Sequence, residues 1–578
     1  MPLTIPPVEA PFGVVDMGSN GIRFGIIHSL ARHLPVLYEE RAPISLFDAQ
    51  SSDKVIPEDV IDEVITSFLR FKAICDQAGV APGNVRLIAT EATRIAQNSA
   101  QFQDRIFQAT GWKTILLRKE EEALVSAMGI VGSFDHVRGL ALDLGGGSVE
   151  LNYLIRDSTT SNTEQGFSSS KNAVSLPYGA AALKKFLIEH DDDEEREKFA
   201  QKLIAELTDA LEKVEVPDGI KAQSDANDGH TIYLSGGGFR ALGYMCMSDS
   251  KLYGGDNEQS SRQYPVLIIN GYSISGKTLK KLAKKYVDRA PEDLVKELKV
   301  FRISKRRATM IPACSFLVLA LFKVFKVRTV YFSEGGVRQG VCFNMLSLEE
   351  KSKDPAIEGI KQYAEASRYA LSEDQFNGLY KKVVRAIPPF YLEPNHPLQL
   401  HRLLPCAIYL SNLFTHYPKE SRATIGFHMP LAGGQLSNIP GLLHHHRAAL
   451  SLILTHRQGG EVADPIYKDI VSLLGPKAAA VCMYVGRVME YYYALSPLNP
   501  GIGLDELGVD IFPAFREYTD EEYPPSEIAV HMPSQSNPMV DALSVSSILD
   551  NIIKIAKQSS FREEAAPLFS VSLIRKVD

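Results

Sequence analysis

Residues 143–150 read Asp-Leu-Gly-Gly-Gly-Ser-Val-Glu between two apolar runs, Gly139–Leu142 and Leu151–Ile155, and no other stretch constrains the fold as strongly. The pattern is strand, tight turn, strand. Three consecutive glycines permit positive φ and carry no Cβ, so several backbone N–H groups can point into one concavity and approach a phosphate closely. Asp143, at the end of the first strand, faces the same concavity, where a carboxylate can hold Mg²⁺ through water. A second copy stands near the N-terminus. Residues 12–28 run from Phe12 through Asp16, Gly18, Ser19, Asn20, Gly21 and Arg23 to His28, again an apolar strand, an Asp-containing glycine turn and an alternating apolar strand. Two such halves facing one another place both turns on a cleft, where ligand sites tend to lie.

A chain of 578 residues with 45% hydrophobic content is too long for one core and is expected to form about three domains. The net charge of −7 advertises no nucleic-acid footprint, so a polyanion must be met by a few placed arginines. Six scattered cysteines contain no C-x-x-C pair and read as reduced core residues. The N-terminus carries no basic, apolar leader, and the longest apolar run, Met310–Val324, contains Pro312 and reads as a buried helix. The expectation is a cytoplasmic protein without a membrane segment.

Further along, Pro57–Ala78 is predicted as an amphipathic helix on Val60, Val64, Phe68, Phe71 and Ile74. A strand over 84–90 runs into a helix start carrying Arg94, at the strand's carboxyl end, where an α/β cleft would use an arginine. Glu120, Glu121 and Glu122 open another helix. Carboxylates favour that end of the dipole, and one of the three can instead face the cleft as a general base. Residues 231–243 repeat the strand, glycine triplet and helix start at Gly236, Gly237 and Gly238. No carboxylate stands there, which suits a phosphate tail or a nucleoside packed on bare backbone. Polar stretches at 156–171 and 249–262 are predicted loops, and Asp191–Glu195 a solvated helix start. From about Asp354 no further strand is expected and apolar residues recur with helical period, at Leu403, Ala407, Leu410 and Leu413 and over 478–495. Residues 518–546, with prolines and serines, read as a surface loop. The histidines of this region lack the His-Asp dipeptide of metal phosphohydrolases, so no metal is expected there.

Asp16–Arg23, Thr90–Arg94, Glu121-Glu122-Ala123, Asp143–Glu150, Ser235–Gly238 and Gly335–Gly340 together resemble the exopolyphosphatase and guanosine pentaphosphate phosphatase (Ppx/GppA) family over residues 10–345. The helical tail and the Arg306-Arg307-Ala-Thr-Met-Ile-Pro segment resemble its fungal branch of retrograde-regulation proteins, which relay mitochondrial dysfunction to nuclear transcription. The resemblance implies an α/β fold of two actin-like, sugar-kinase-like (ASKHA, ribonuclease H-like) domains, 1–135 and 136–350, facing a cleft. A helical, degenerate HD-like domain over 351–578 follows. By motif it implies Glu122 as catalytic base with Glu150, and Asp16, Asp143 and Glu150 as the acids that hold Mg²⁺ and water. Gly18, Ser19, Asn20, Gly145, Gly146, Gly147, Ser148 and the 236–238 triplet are implied as the phosphate loops, and Arg23, Arg94 and Arg307 as phosphate-binding arginines. Two positions depart from the family: Gly21 stands where a serine is usual, and Gln339 where glutamate is common.

Three functions compete. The first is a signalling protein that binds ATP, guanosine polyphosphate or inorganic polyphosphate and changes its hold on a protein partner, as a monomer or homodimer. The second is a Mg²⁺-dependent exopolyphosphatase or guanosine pentaphosphate phosphohydrolase. The third, a kinase of the same superfamily, is disfavoured by the water-activating Glu122.

Overall fold

The computed structural model describes residues 10–50, 53–157, 166–190, 192–249, 264–460, 462–514, 523–524, 526–558 and 568–575. The centres of the two polar stretches expected at 156–171 and 249–262 lie outside these residues, as does Asp191. The chain divides into two compact units, one of Met1–Gln263 with Ile269–Pro355, the other of Tyr264–Ile268 with Ala356–Asp578.

The first unit carries two mixed sheets of matching plan. In the first lobe, β1 (Phe12–Gly18), β2 (Gly21–Ile27), β3 (Val36–Ala42), β4 (Val85–Ala89) and β5 (Thr114–Leu116) assemble in the order β3-β2-β1-β4-β5. The first three strands pair antiparallel, and β4 and β5 add parallel to β1. That is the ribonuclease H-like order. The second lobe repeats it with β6 (Val137–Leu144), β7 (Val149–Arg156), β8 (Ser168–Ser169), β9 (Val174–Leu176) and β10 (His230–Gly236). An antiparallel edge strand, β11 (Ser273–Ser275), closes on β12 (Val327–Phe332), which lies parallel to β10.

The elements follow their apolar periods. Helix Glu58–Gln77 buries Ile61, Val64, Phe68, Phe71 and Cys75, with Val60 and Ile74 only partly covered, so its buried stripe sits slightly to one side of the predicted one. Phe24, Phe68, Phe71 and Trp112 form an aromatic cluster beneath β2. Helix Ile311–Val324, with Pro312 in its first turn, is buried, as the run of apolar residues requires. Lys305–Val324 is long and apolar enough to cross a membrane, but 56% of its most apolar window is covered by protein, as in a core helix. All six cysteines are buried, and none forms a disulfide.

The second unit is helical from Ala356 to Leu495, around helices Leu400–Ser411, His444–Arg457 and Pro476–Leu495. Beyond that the expected absence of strands is corrected. β13 (Asp510–Pro513), β14 (Ser526–Met532) and β15 (Phe569–Arg575) form a three-stranded sheet, and helix Leu543–Gln558 follows β14. The supposed surface loop over 518–546 therefore contains β14 and helix starts, while 515–522 lie outside the described residues. Ile528, Ala529 and Val530 are all buried, so β14 lacks the alternation by which a half-exposed strand is recognised.

Candidate functional site

The two glycine-rich turns occupy equivalent places in the two lobes. Asp16 of β1 pairs in register with Arg23 of β2, and Asp143 of β6 pairs in register with Glu150 of β7. Ser235 of β10 stands beside Asp143 on the other side. The loop after β6 is held by backbone bonds: Gly145 N–H donates to Ser148 O (3.0 Å), Gly179 N–H to Gly147 O (2.9 Å), and Ala180 and Ala181 N–H to Gly145 and Gly146 O (3.0 and 2.9 Å). With these carbonyls engaged, the loop's remaining polar capacity is its N–H groups, as a phosphate cradle needs. A Cβ at Gly179 would lie 2.4 Å from Gly146 backbone, so the start of helix Ala180–Glu189 can approach the loop only as glycine.

One cavity of about 150 Å³ joins the lobes. Of the expected residues, its lining contains Asp16, Gly18, Ser19, Asn20, Arg23, Glu122, Asp143, Gly145, Gly146, Ser148, Glu150, Gly236, Gly237, Gly238 and Arg307. Gly147 and Arg94 stand behind the wall. Gly147 faces Glu91, whose Oε2 would lie 2.1 Å from a Cβ there. Arg94 Nη1 donates to Leu117 O (2.6 Å) and pairs with Glu122 Oε2 (3.1 Å), so in this conformation it holds the Glu122 carboxylate and does not line the cavity.

The acidic triplet divides as the chemistry of a helix start requires. Glu121 caps the helix Lys119–Ser133 by accepting from Arg118 N–H (2.8 Å), Glu120 is exposed, and Glu122 is buried facing the cavity. Burial raises the Glu122 carboxyl to about 7, against the pull of Arg94, and also raises Asp16 and Asp143. Glu150 is raised well above the usual carboxylate range by burial and by Glu122. Its Oε1 accepts from Ser148 Oγ (2.5 Å) and Ser175 Oγ (3.0 Å). The floor is thus a set of carboxylates whose charges are costly without a cation.

Among the described residues no three His, Cys, Asp or Glu side chains converge as a metal cage. The donor set fits a cation held by one or two carboxylates, Asp16 and Asp143, and completed by phosphate oxygens and water, which is how Mg²⁺ binds at phosphate sites. Glu150, engaged by two serines, fits that role less well.

Several lining residues carry no strong local signal. Arg41, Arg240 and Arg306 join Arg23 and Arg307 on the cavity wall. Burial and Arg23 bring the Arg240 guanidinium down to about 10. Arg240 follows the 236–238 glycines as Arg94 follows the end of β4, and that parallel was its one sequence cue. Arg41 explains a family departure: a Cβ at Gly21 would lie 2.8 Å from Arg41 Nε, so the guanidinium fills the space where a residue-21 side chain would stand. Gln339 Oε1 accepts from Gly336 N–H (3.3 Å), so the second departure sits in a helix cap.

In the second unit three of the histidines meet neighbouring side chains or backbone. His428 Nε2 meets Asp464 (2.7 Å), His444 meets Tyr264 Oη and Ile268 O (2.7 Å each), and His456 meets Tyr467 Oη (3.0 Å).

Residues 26–349 match the Ppx/GppA phosphatase family, and 371–564 match the RTG2 C-terminal domain. The first turn, 16–23, precedes the matched span, so its place rests on the repeated sheet geometry. The chain is 32% identical to Retrograde regulation protein 2 of Saccharomyces cerevisiae over 511 residues, 85% of this chain and 81% of that protein. It is 24% identical to Exopolyphosphatase 1 of Mycobacterium leprae over 340 residues, 58% of this chain and 90% of that one. Solved structures of similar fold include the Aquifex aeolicus Ppx/GppA family member (22% identity, TM-score 0.44, 58% of this chain and 96% of that one). An exopolyphosphatase from Cytophaga hutchinsonii is another (19% identity, TM-score 0.45, 58% and 99%).

Proposed function

The chain belongs to the Ppx/GppA phosphatase family, and on that premise we propose that its cleft binds the phosphoanhydride chain of a nucleotide or polyphosphate, with Mg²⁺, as the input to a signalling role. The signal is retrograde regulation, the role carried by the name of the Saccharomyces relative. The protein acts in the cytoplasm and passes occupancy of the cleft to a protein partner.

The observation that carries the reading is the pairing of a buried acidic floor with an arginine wall in one cavity. Phosphate oxygens suit the arginines and the loop amides. Bound Mg²⁺ would supply the positive charge that the floor lacks, held by Asp16 and Asp143. A ligand of this charge binds both lobes at once, so its contacts can shift their equilibrium by a few kcal/mol.

A second reading, hydrolysis at the same site, has Glu122 in its favour. A carboxyl near 7 can take a proton from water attacking the terminal phosphorus, while the bond to the rest of the chain breaks and the shortened chain leaves. Phosphate release from polyphosphate, ATP and guanosine pentaphosphate separates the readings. We expect binding of at least one of these without rapid turnover. Sustained release that Glu122→Gln abolishes would make the protein an enzyme.

Calorimetry tests the site itself. Asp143→Ala is expected to weaken Mg²⁺-dependent tripolyphosphate binding about tenfold, the loss of a charged contact worth roughly 1.5 kcal/mol. Equal affinity of wild type and variant would refute the assignment.

A further inference from the structure

Resting on the phosphate-chain reading above, we propose that Arg306 clamps the outer phosphate of the bound chain, and that Asp48 and Asn20 are the internal acceptors it releases when the chain arrives. Arg306 belongs to the short helix Lys305–Ala308 of the second lobe and reaches the first lobe. Its Nη1 donates to Asn20 O (3.2 Å), and its Nη2 donates to Asn20 Oδ1 (2.9 Å) and to Asp48 Oδ2 (2.8 Å). Arg41 Nη2 donates to the same Asn20 O (3.0 Å). The Asn20 carboxamide stands over the opposite glycine turn, where a Cβ at Gly146 would lie 2.5 Å from its Nδ2.

One asparagine between the two phosphate loops is therefore gripped by two arginines from two lobes. The acceptors are poor for the donors they hold. Two of the three atoms facing Arg306 are neutral amide oxygens, and the third belongs to a half-exposed carboxylate. The side chains of Arg306 and Asp48 are 35% and 56% exposed, so their attraction is screened by water and salt. Arg23, Arg306 and Arg307 crowd Arg41 with like charge. A phosphate group offers three charged oxygens to the same guanidinium, in the planar two-point geometry that arginine matches best. The exchange trades amide and screened carboxylate contacts for charge-assisted ones, and it leaves Asn20 O to Arg41 as the chain enters.

This arrangement predicts opposite signs at its two ends. Arg306→Ala removes a phosphate ligand and is expected to weaken tripolyphosphate binding roughly tenfold or more. Asp48→Ala removes only the competitor and is expected to tighten binding about 2- to 5-fold, the worth of an exposed ion pair. A clasp that merely holds the lobes in place would weaken binding in both variants. The experiment is titration calorimetry of the full chain with sodium tripolyphosphate and MgCl₂, with melting curves checked first and Asp48→Asn as a second variant of the same sign. Binding by wild type that is unchanged or weaker in both Asp48 variants would overturn the clamp and leave the site reading standing. A wild type that does not bind tripolyphosphate would overturn the site reading, and the clamp with it.

Discussion

Gly340→Ala is expected to destabilise the two-lobed unit by at least about 3 kcal/mol, the upper end of what overpacking usually costs. A Cβ at Gly340 would lie 1.8 Å from Val125 O and 3.0 Å from Gly129 N, backbone atoms of the helix that carries Glu122. The approach is reciprocal, since a Cβ at Gly129 would lie 2.3 Å from Gly336 O and one at Gly335 1.9 Å from Gly129 O. Helices Lys119–Ser133 and Val337–Met345 thus touch backbone to backbone, and no rotamer change can relieve a clash with a carbonyl. The control is Gly237→Ala, a cavity-lining position where a Cβ meets nothing within 4 Å, so stability should change by no more than ~0.5 kcal/mol. Urea unfolding followed by tryptophan fluorescence reads this unit, because Trp112, the single tryptophan, is buried in its first lobe. Coincident midpoints for wild type and Gly340→Ala would show that the two helices are not locked at this contact.

That contact also marks the limit of what the sequence reveals. The turns at 16–23 and 143–150 were legible because each is local: an apolar strand, an acid, glycines and a second strand fall within about a dozen residues. The same holds for the Ser235–Gly238 turn, whereas the helix start leaves its three glutamates equivalent and only the family motif singles out Glu122. Gly129, Gly335 and Gly340 carry no such signal. Their need arises only when two helices more than 200 residues apart meet. Arg41, Arg240 and Arg306 were missed for the same reason, each lying on an element whose cleft-facing side is decided by the partner lobe. The family motif assigns Arg94 to phosphate, whereas its acceptors here are Glu122 and Leu117 O. In the second unit, β14 finds β15 in parallel register across more than 30 intervening residues, and such pairing leaves no mark in a short window.

The acidic floor should make the unliganded protein less stable as the medium becomes more alkaline. Asp16, Glu91, Glu122, Asp143 and Glu150 all have folded-state values raised by burial. Between the ordinary carboxylate range and those raised values the native state holds more protons than the unfolded one, so stability falls with rising pH. The contribution is fully present below about 4 and, for Glu122, is lost as pH rises through about 7. Buried histidines act in the opposite direction and elsewhere. His445 and His456, lowered to about 4 and about 3 by burial, add stability as pH rises towards 6.5, and they belong to the second unit. Asp505, lowered to about 2 by its bonds to Lys381 and Lys382, is unchanged above pH 5. The thermal midpoint of the first unit is therefore expected to fall between pH 6.5 and 8, and Glu122→Gln should flatten that fall because its amide cannot ionise. MgCl₂ with tripolyphosphate should raise the midpoint more at pH 8 than at pH 6.5, since the charge it compensates is larger there. Scanning calorimetry of both proteins across that range, with and without ligand, makes the comparison, and the histidine contribution cancels in the difference. A wild-type midpoint that rises with pH in step with the variant's would mean that Glu122 is already ionised below pH 6.5, held so by Arg94, and that the floor does not store the charge which a bound cation would neutralise.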